Sequence, residues 1–195
     1  KKAARVRKRT KKEIFLDDLI YELKLLRKTI ATEQGVPPYV IFNDKTLQEM
    51  AETLPLLPQD MTNISGVGLK KMAFYGKRFL AKIADFLTSK GKSYKAATRK
   101  ITYAFYMEEP DIQYIVGERE LTAGTIASHL AQFYLDGYPL DMDKLVPPNE
   151  RLEIVAVIEK IGTEYVRKIK EHLGNKYDFD KIHLTIAFLE KQKQG

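Results

Sequence analysis

Apolar residues recur at three- and four-residue steps along most of this chain and are repeatedly stopped by proline or glycine, and no useful length alternates in the period of a strand. Phe15, Leu19, Tyr21/Leu23, Leu26 and Ile30 trace one helix face from Ile14 on. Gly35 and Val36-Pro37-Pro38 end it, because proline cannot continue the helix and restricts the residue before it. A short apolar segment, 39–42, follows. Asn43-Asp44 then offers an N-cap for a helix through Leu47, Met50, Ala51 and Leu54. Pro55 and Pro58 bracket a turn, a short helix around 60–64 leads into Ser65-Gly66-Val67-Gly68, and helix resumes from Leu69 to about Leu87. Beyond residue 100 the pattern predicts a helix over 101–107 and a new start at Pro110 running through Ile112, Ile115 and Val116. A turn is expected at 117–121, then a Thr122-capped helix through Ile126, Leu130 and Phe133 that Gly137-Tyr138-Pro139 ends. Pro147-Pro148 opens a helix through Leu152, Val155, Ile158 and Ile161. A short helix over 165–173 stops at Gly174, and Asp178 caps a last one carrying Ile182, Ile186 and Leu189. The expectation is an all-α chain of two small helical domains.

Charge divides the same chain differently. The net +7 is distributed as +8 over residues 1–12, −1 over 13–89, +5 over 90–100 and −5 over 101–195. Residues 1–13 and 90–100 therefore read as basic linkers, the first too poor in apolar side chains to order itself. The stretch 61–100 alone carries +9, so a polyanion would be drawn there and not evenly to the whole molecule. The abrupt basic start without methionine suggests a piece of a longer protein.

Several chemistries are disfavoured. With no cysteine there are no disulfides or thiolate metal sites. No apolar run approaches the roughly 18 residues that span a bilayer, and the basic N-terminus lacks a signal-peptide core, so the chain reads as soluble and intracellular, without a membrane partner. No G-x-x-x-x-G-K-[ST] cradle is present. His129, His172 and His183 are far apart with no acidic partners at ligand spacing, and pairs such as Glu108-Glu109 or Asp141/Asp143 are ordinary surface carboxylates. No catalytic residue, metal or cofactor is expected in this chain.

Three features could carry binding. In Ile64-Ser-Gly-Val-Gly-Leu-Lys-Lys71, Gly66 and Gly68 let backbone approach a phosphate, and the helix start that follows favours an anion. Lys70 and Lys71 sit where the helix dipole disfavours cations, and Lys77, Arg78 and Lys82 follow, a pattern that suits a partner anion better than a packing corner alone. Tyr39, after two prolines, either stacks a base at the surface or packs inward beside Val40 and Phe42. The helix-turn-helix text around Leu121-Thr-Ala-Gly-Thr-Ile-Ala-Ser-His-Leu130 offers small polar residues but no Arg or Lys between Glu120 and Asp136. A groove reader without cations forfeits most of its electrostatic affinity, so packing or a protein partner is the expectation there.

Residues 14–89 resemble an HRDC domain, the helicase-and-RNase-D C-terminal module. The matching text is Leu23-x-x-Leu26-Arg27-Lys28-x-Ile30-Ala31, Val36-Pro-Pro-Tyr-Val-Ile-Phe-Asn-Asp-Lys-Thr-Leu47, and Ile64-Ser-Gly-Val-Gly68 with Tyr75-Gly76 and Phe79. Residues 101–192 are similar to the helix-turn-helix domain at the C-terminus of some bacterial RecQ helicases, through Thr125-Ile-Ala-Ser-His-Leu130, Gly137-x-Pro-Leu-Asp141 and Asp143-x-Leu145. The resemblance implies an accessory region that binds single-stranded or junction DNA and helps target the motor in repair and recombination. The helicase core of the same polypeptide would be its partner and would use ATP and Mg²⁺ for 3′–5′ unwinding, in a bacterial, cytoplasmic, nucleoid-associated setting. It also implies a role for Tyr39, and on electrostatic grounds Lys24, Lys28, Lys70 and Lys71 are expected to contact the strand beside it. One departure stands out: acidic groups outnumber basic ones five to three across 13–33. The competing expectation is a protein-interaction or intramolecular regulatory module acting mainly through the acidic second domain. RNA processing of the RNase D kind is disfavoured by the appended helix-turn-helix.

Overall fold

The computed structural model describes residues 8–90 and 97–194, and every regular element among them is helical, in line with the all-α expectation. In chain order these are α1 (Lys11–Gln34), α2 (Pro38–Ile41), α3 (Asp44–Thr53), α4 (Pro58–Thr62), α5 (Leu69–Lys71), a π-helical segment (Met72–Gly76) and α6 (Lys77–Lys90). There follow α7 (Thr98–Glu108), α8 (Ile112–Arg119), α9 (Ala123–Leu135), α10 (Met142–Leu145), α11 (Pro148–Ile161), α12 (Val166–Leu173) and α13 (Phe179–Gln192). They form two compact units, one up to Ile101 and the other from Thr102, so the division falls inside α7.

In the first unit α1 begins at Lys11, within the stretch that composition assigns to a linker. Thr10-Lys-Lys-Glu13 is a capping box: the Glu13 N–H donates to Thr10 Oγ1 at 3.1 Å and the Thr10 N–H to Glu13 Oε2 at 2.7 Å. Two orphan donors are satisfied locally, which starts the helix despite the charge. Residues 1–7 of that linker lie outside the described residues. Gly35, at φ 64°, closes α1 in the left-handed conformation, and the Val36 N–H donates back to the Ala31 carbonyl at 3.0 Å. The buried face of α1, Phe15, Leu19, Leu23 and Ile30, packs against α2, α3 and α6. Phe15 meets the Phe86 ring edge-on at 5.2 Å, and fully buried Phe42 meets Phe79 at 4.9 Å and 89°. Aromatic pairs of this geometry add about 0.5–1.5 kcal/mol beyond burial. Arg27 ties α1 to the start of α3, donating to the Phe42 carbonyl at 2.7 Å and pairing with Asp44 at 2.7 Å.

The expected basic linker 90–100 is also partly structured: Lys90 ends α6 and residues 98–100 open α7, while 91–96 lie outside the described residues. Lys100 donates to the Thr53 and Leu54 carbonyls at the C-terminal end of α3, where backbone oxygens lack helical partners. Its charge serves the fold.

In the second unit α9 packs on α8 and α13. Tyr103, Phe133 and Tyr138 form an aromatic cluster with centroids 4.7–5.2 Å apart. It fastens the turn after α9: the Tyr103 hydroxyl donates to the Pro139 carbonyl at 3.0 Å, and the Asp141 N–H donates to Tyr106 Oη at 2.7 Å. Three local expectations change. Helix α8 continues to Arg119 and ends at Glu120 (φ 52°), so the turn expected at 117–121 is shorter. Leu152, expected on the apolar face of α11, is 70% exposed; Ile158 of that face is buried as expected, but with Ile154 and Val157. Asp178 occupies the N-cap of α13, but its carboxylate accepts from Lys170 Nζ at 2.8 Å rather than from its own helix.

His183, half-buried on α13, has its pKa pushed below the ordinary 6.5 by burial, opposed by nearby Asp180. Below the unfolded pKa the unfolded chain takes up a proton that the folded chain resists, so the contribution is full above about pH 6.5. It declines as pH falls from there through the lowered folded value. Urea midpoints at pH 7.5 and 5.0 are expected to fall with acid, and His183→Gln to flatten that dependence; an equal drop in the variant would assign it to other groups.

Candidate nucleic-acid interface

The G-V-G corner owes its shape to α3. Asn43 caps that helix, its Oδ1 accepting from the Thr46 N–H at 2.8 Å, and Thr46 Oγ1 in turn donates to the Ser65 carbonyl at 2.8 Å. Gly66 stands over this bond at φ 84°, where a Cβ would lie 2.6 Å from Thr46 Oγ1. Gly68, the N-cap of α5, has ordinary extended backbone and nothing within 4 Å of a Cβ. The two glycines therefore differ: the fold requires the first, and only the second opens onto unoccupied space.

From Gly68 the chain runs continuously through α5, the π segment and α6. Lys70 is exposed, and half-buried Lys71 holds its Nζ 5.5 Å from the centre of the Phe42 ring. Both line a groove of about 370 Å³ with Gln34, Val40, Phe74 and Tyr75. On α2, next to Val40, Tyr39 is 69% exposed; its ring is not part of the core that holds Ile41 and Phe42. This resolves the two orientations in favour of the surface. Pro37 and Pro38 explain it, since they start a single helical turn in which only Ile41 faces inward.

The remaining candidate cations divide. Lys28 and Lys77 are exposed and, like Lys70 and Lys71, have no carboxylate partner among the described residues, but they do not line the groove. Lys24 pairs with Asp44 at 3.1 Å, Lys82 with Glu22 at 3.6 Å, and Arg78 with both oxygens of Glu33 at 2.5 and 3.0 Å. The Arg78 hydrogen bond holds Glu33 below the usual carboxylate range, and Arg27 with Lys24 does the same for Asp44. Exposed pairs of this kind are screened and contribute little to stability, yet each leaves a cation already compensated. Acidic groups of α1 thus neutralise Arg78 and Lys82, and Asp44 of α3 neutralises Lys24, while the corner lysines are left uncompensated.

Phe74, 66% exposed on the groove, escapes a reading that follows only the lysines after G-V-G. Its signal was Phe74-Tyr75 itself: two adjacent rings on one helix cannot share a buried stripe.

In the helix-turn-helix pair the polar side chains bond to one another or to their own helices. Thr122 and Thr125 hydroxyls lie 2.9 Å from each other and Ser128 donates to the Gly124 carbonyl at 2.9 Å. Arg119, at the end of α8, donates to buried Thr102 Oγ1 at 2.8 Å, and that hydroxyl lies 2.9 Å from His129 Nδ1. Among the described residues no group of three or more His, Cys, Asp or Glu could hold a metal ion, and no helix is long and apolar enough to cross a membrane.

This is the architecture of two known modules. The HRDC domain family matches residues 17–83 and a helix-turn-helix domain family matches 98–186. The RecQ ATP-dependent DNA helicase of Bacillus subtilis is 48% identical over 70 residues, 36% of this chain and 12% of the helicase. The corresponding helicase of Haemophilus influenzae is 46% identical over 68 residues, 35% of this chain and 11% of that protein. The mouse bifunctional 3′-5′ exonuclease/ATP-dependent helicase WRN is 27% identical over 194 residues, 84% of this chain and 14% of that protein. The chain thus spans about an eighth of the length of the RecQ relatives it matches. Over its HRDC-matching part the chain is similar to bacterial RecQ helicases.

Proposed function

We propose that this region binds single-stranded or junction DNA through phosphate contacts and helps deliver a RecQ-type motor to its substrate in DNA repair and recombination. The observation that carries the reading is the pair of uncompensated cations, Lys70 and Lys71, on a groove walled by Val40 and Phe74, with the exposed Tyr39 next to Val40 on α2. A strand needs both parts: cations for its phosphates and rings for its bases, whose π-faces stack without regard to sequence. Lys28 and Lys77 extend the positive surface, while Lys24, Arg78 and Lys82 would have to leave their carboxylates to join it. ATP and Mg²⁺ would belong to the motor, in the helicase core of the same polypeptide, and the setting would be the bacterial cytoplasm.

Tyr39→Ala is expected to weaken single-strand binding by about 1–3 kcal/mol while leaving the salt dependence unchanged, because a stacking ring and not a phosphate contact is lost. Fluorescence anisotropy with an unstructured oligonucleotide at several salt concentrations checks this; unaltered affinity would remove Tyr39 from the interface. For the second unit a protein-interaction role is favoured by the Arg119–Thr102–His129 network, which takes the cation closest in sequence to α9 inward.

A further inference from the structure

The π segment that carries Phe74 and Tyr75 also explains an exposure that α-helical geometry would not produce. Gly76, Phe79, Leu80, Ile83, Phe86 and Leu87 form the buried stripe of the helix. Seven residues is close to two α-helical turns, so Leu69 would fall on the same stripe as Gly76. It is instead 83% exposed. A π turn closes i→i+5 and uses one residue more than an α turn, which rotates everything N-terminal to it about the helix axis. Leu69 is left in solvent, while Lys70 and Lys71, four and three residues before exposed Phe74, line the same groove with it.

The occupant must suit both halves of this groove. Two ammonium groups without carboxylate partners favour a polyanion. The apolar wall of Val40, Phe74 and the Tyr75 ring favours a flat, weakly polar group. Gln34 adds a directional element: its Oε1 accepts from the Tyr75 hydroxyl at 2.9 Å, and its NH₂ has no protein partner among the described residues, leaving a donor for an acceptor edge. A nucleotide of a single strand joins an anion, a planar heterocycle and acceptor atoms in one unit. A duplex keeps its bases in the stack, where this groove cannot reach them.

We propose that the groove seats one unstacked base of a single DNA strand against Phe74, with the adjoining phosphates on Lys70 and Lys71. It rests on the reading of this face as a single-strand surface and adds a site distinct from Tyr39. The test uses the whole chain and a single strand carrying one 2-aminopurine. The parent is expected to quench the 2-aminopurine, and Phe74→Ala and Phe74→Leu are each expected to abolish that quenching and to lower single-strand affinity about 10-fold. Their salt slope should be unchanged, as should binding to a duplex of equal length. Phe74→Trp should retain affinity and quenching. Phe74 is exposed, and Leu keeps its apolar bulk, so loss in the Leu variant reports the ring and not the fold. Parent-like binding by both variants, or equal loss on single strand and duplex, overturns the base seat. If Phe74→Ala is silent while Lys70→Glu/Lys71→Glu still weakens binding, only the seat falls. If the lysine reversals are silent too, the single-strand reading of this face falls with it.

Discussion

Reversing both corner lysines, Lys70→Glu with Lys71→Glu, is expected to reduce single-strand affinity on the order of 10- to 100-fold at 50 mM salt and to make what remains less salt-sensitive. Each phosphate neutralised on a single strand contributes about 0.7 to the slope of log affinity against log salt, so losing two contacts should flatten it by about 1.4. The reversal also places two negative groups where the strand must pass, which neutral substitutions would not do. Both side chains lie at the surface or half-buried and take part in no ion pair among the described residues, so the fold should persist; Lys71 forfeits only its position over the Phe42 ring. Arg78→Glu and Lys82→Glu should cost less affinity, since Glu33 and Glu22 already compensate those cations. An oligonucleotide titration over a salt series measures all three. A double variant with the parental slope would show that these lysines touch no phosphate.

The two glycines of the corner should separate stability from binding. Gly66→Ala is expected to destabilise the first unit by about 2–4 kcal/mol. A non-glycine residue at φ 84° costs about 1–2 kcal/mol, and the new Cβ, 2.6 Å from Thr46 Oγ1, must break a hydrogen bond that a stiff, buried, β-branched side chain cannot easily re-form. Gly68→Ala meets no atom within 4 Å and adopts no unusual backbone, so its unfolding midpoint should stay within about 0.5–1 kcal/mol of the parent. If a phosphate approaches the start of α5, that same methyl should nevertheless weaken DNA binding. Chemical denaturation and anisotropy on the two variants give the comparison. Equal stability of both would contradict the role assigned to Gly66, and unchanged DNA affinity in Gly68→Ala would move the phosphate elsewhere.

Much of this was legible in the residues. Proline and glycine act through φ and a missing N–H, which are local, so the ends of α1, α3 and α9 followed from Gly35, Pro55 and Gly137. The cap at Thr10 was equally local, yet charge composition hid it: eight basic residues in 1–12 suggested a linker, although two hydrogen bonds suffice to start a helix there. Lys100 belongs with it, a cation that looked like part of a tether and anchors α3 instead. In α11, Leu152 and Val155 lead to Ile158 at helical steps, and Ile154 stands at helical steps from both Val157 and Ile158. Periodicity allows both faces, and only the neighbours it packs against select one.

From its order of residues alone this protein is committed to helices, to the places where they stop, and to a concentration of positive charge about the G-V-G corner, because propensity, capping and net charge need no distant partner. Which lysines remain available, which way Tyr39 and Phe74 face, and which glycine the fold cannot replace are decided by tertiary structure. The available lysines and the irreplaceable glycine depend on residues far along the chain: Glu33 beside Arg78, Asp44 beside Lys24, Thr46 beneath Gly66. Compensation and contact act through space over a few ångströms, a separation that the chain's linear order does not record.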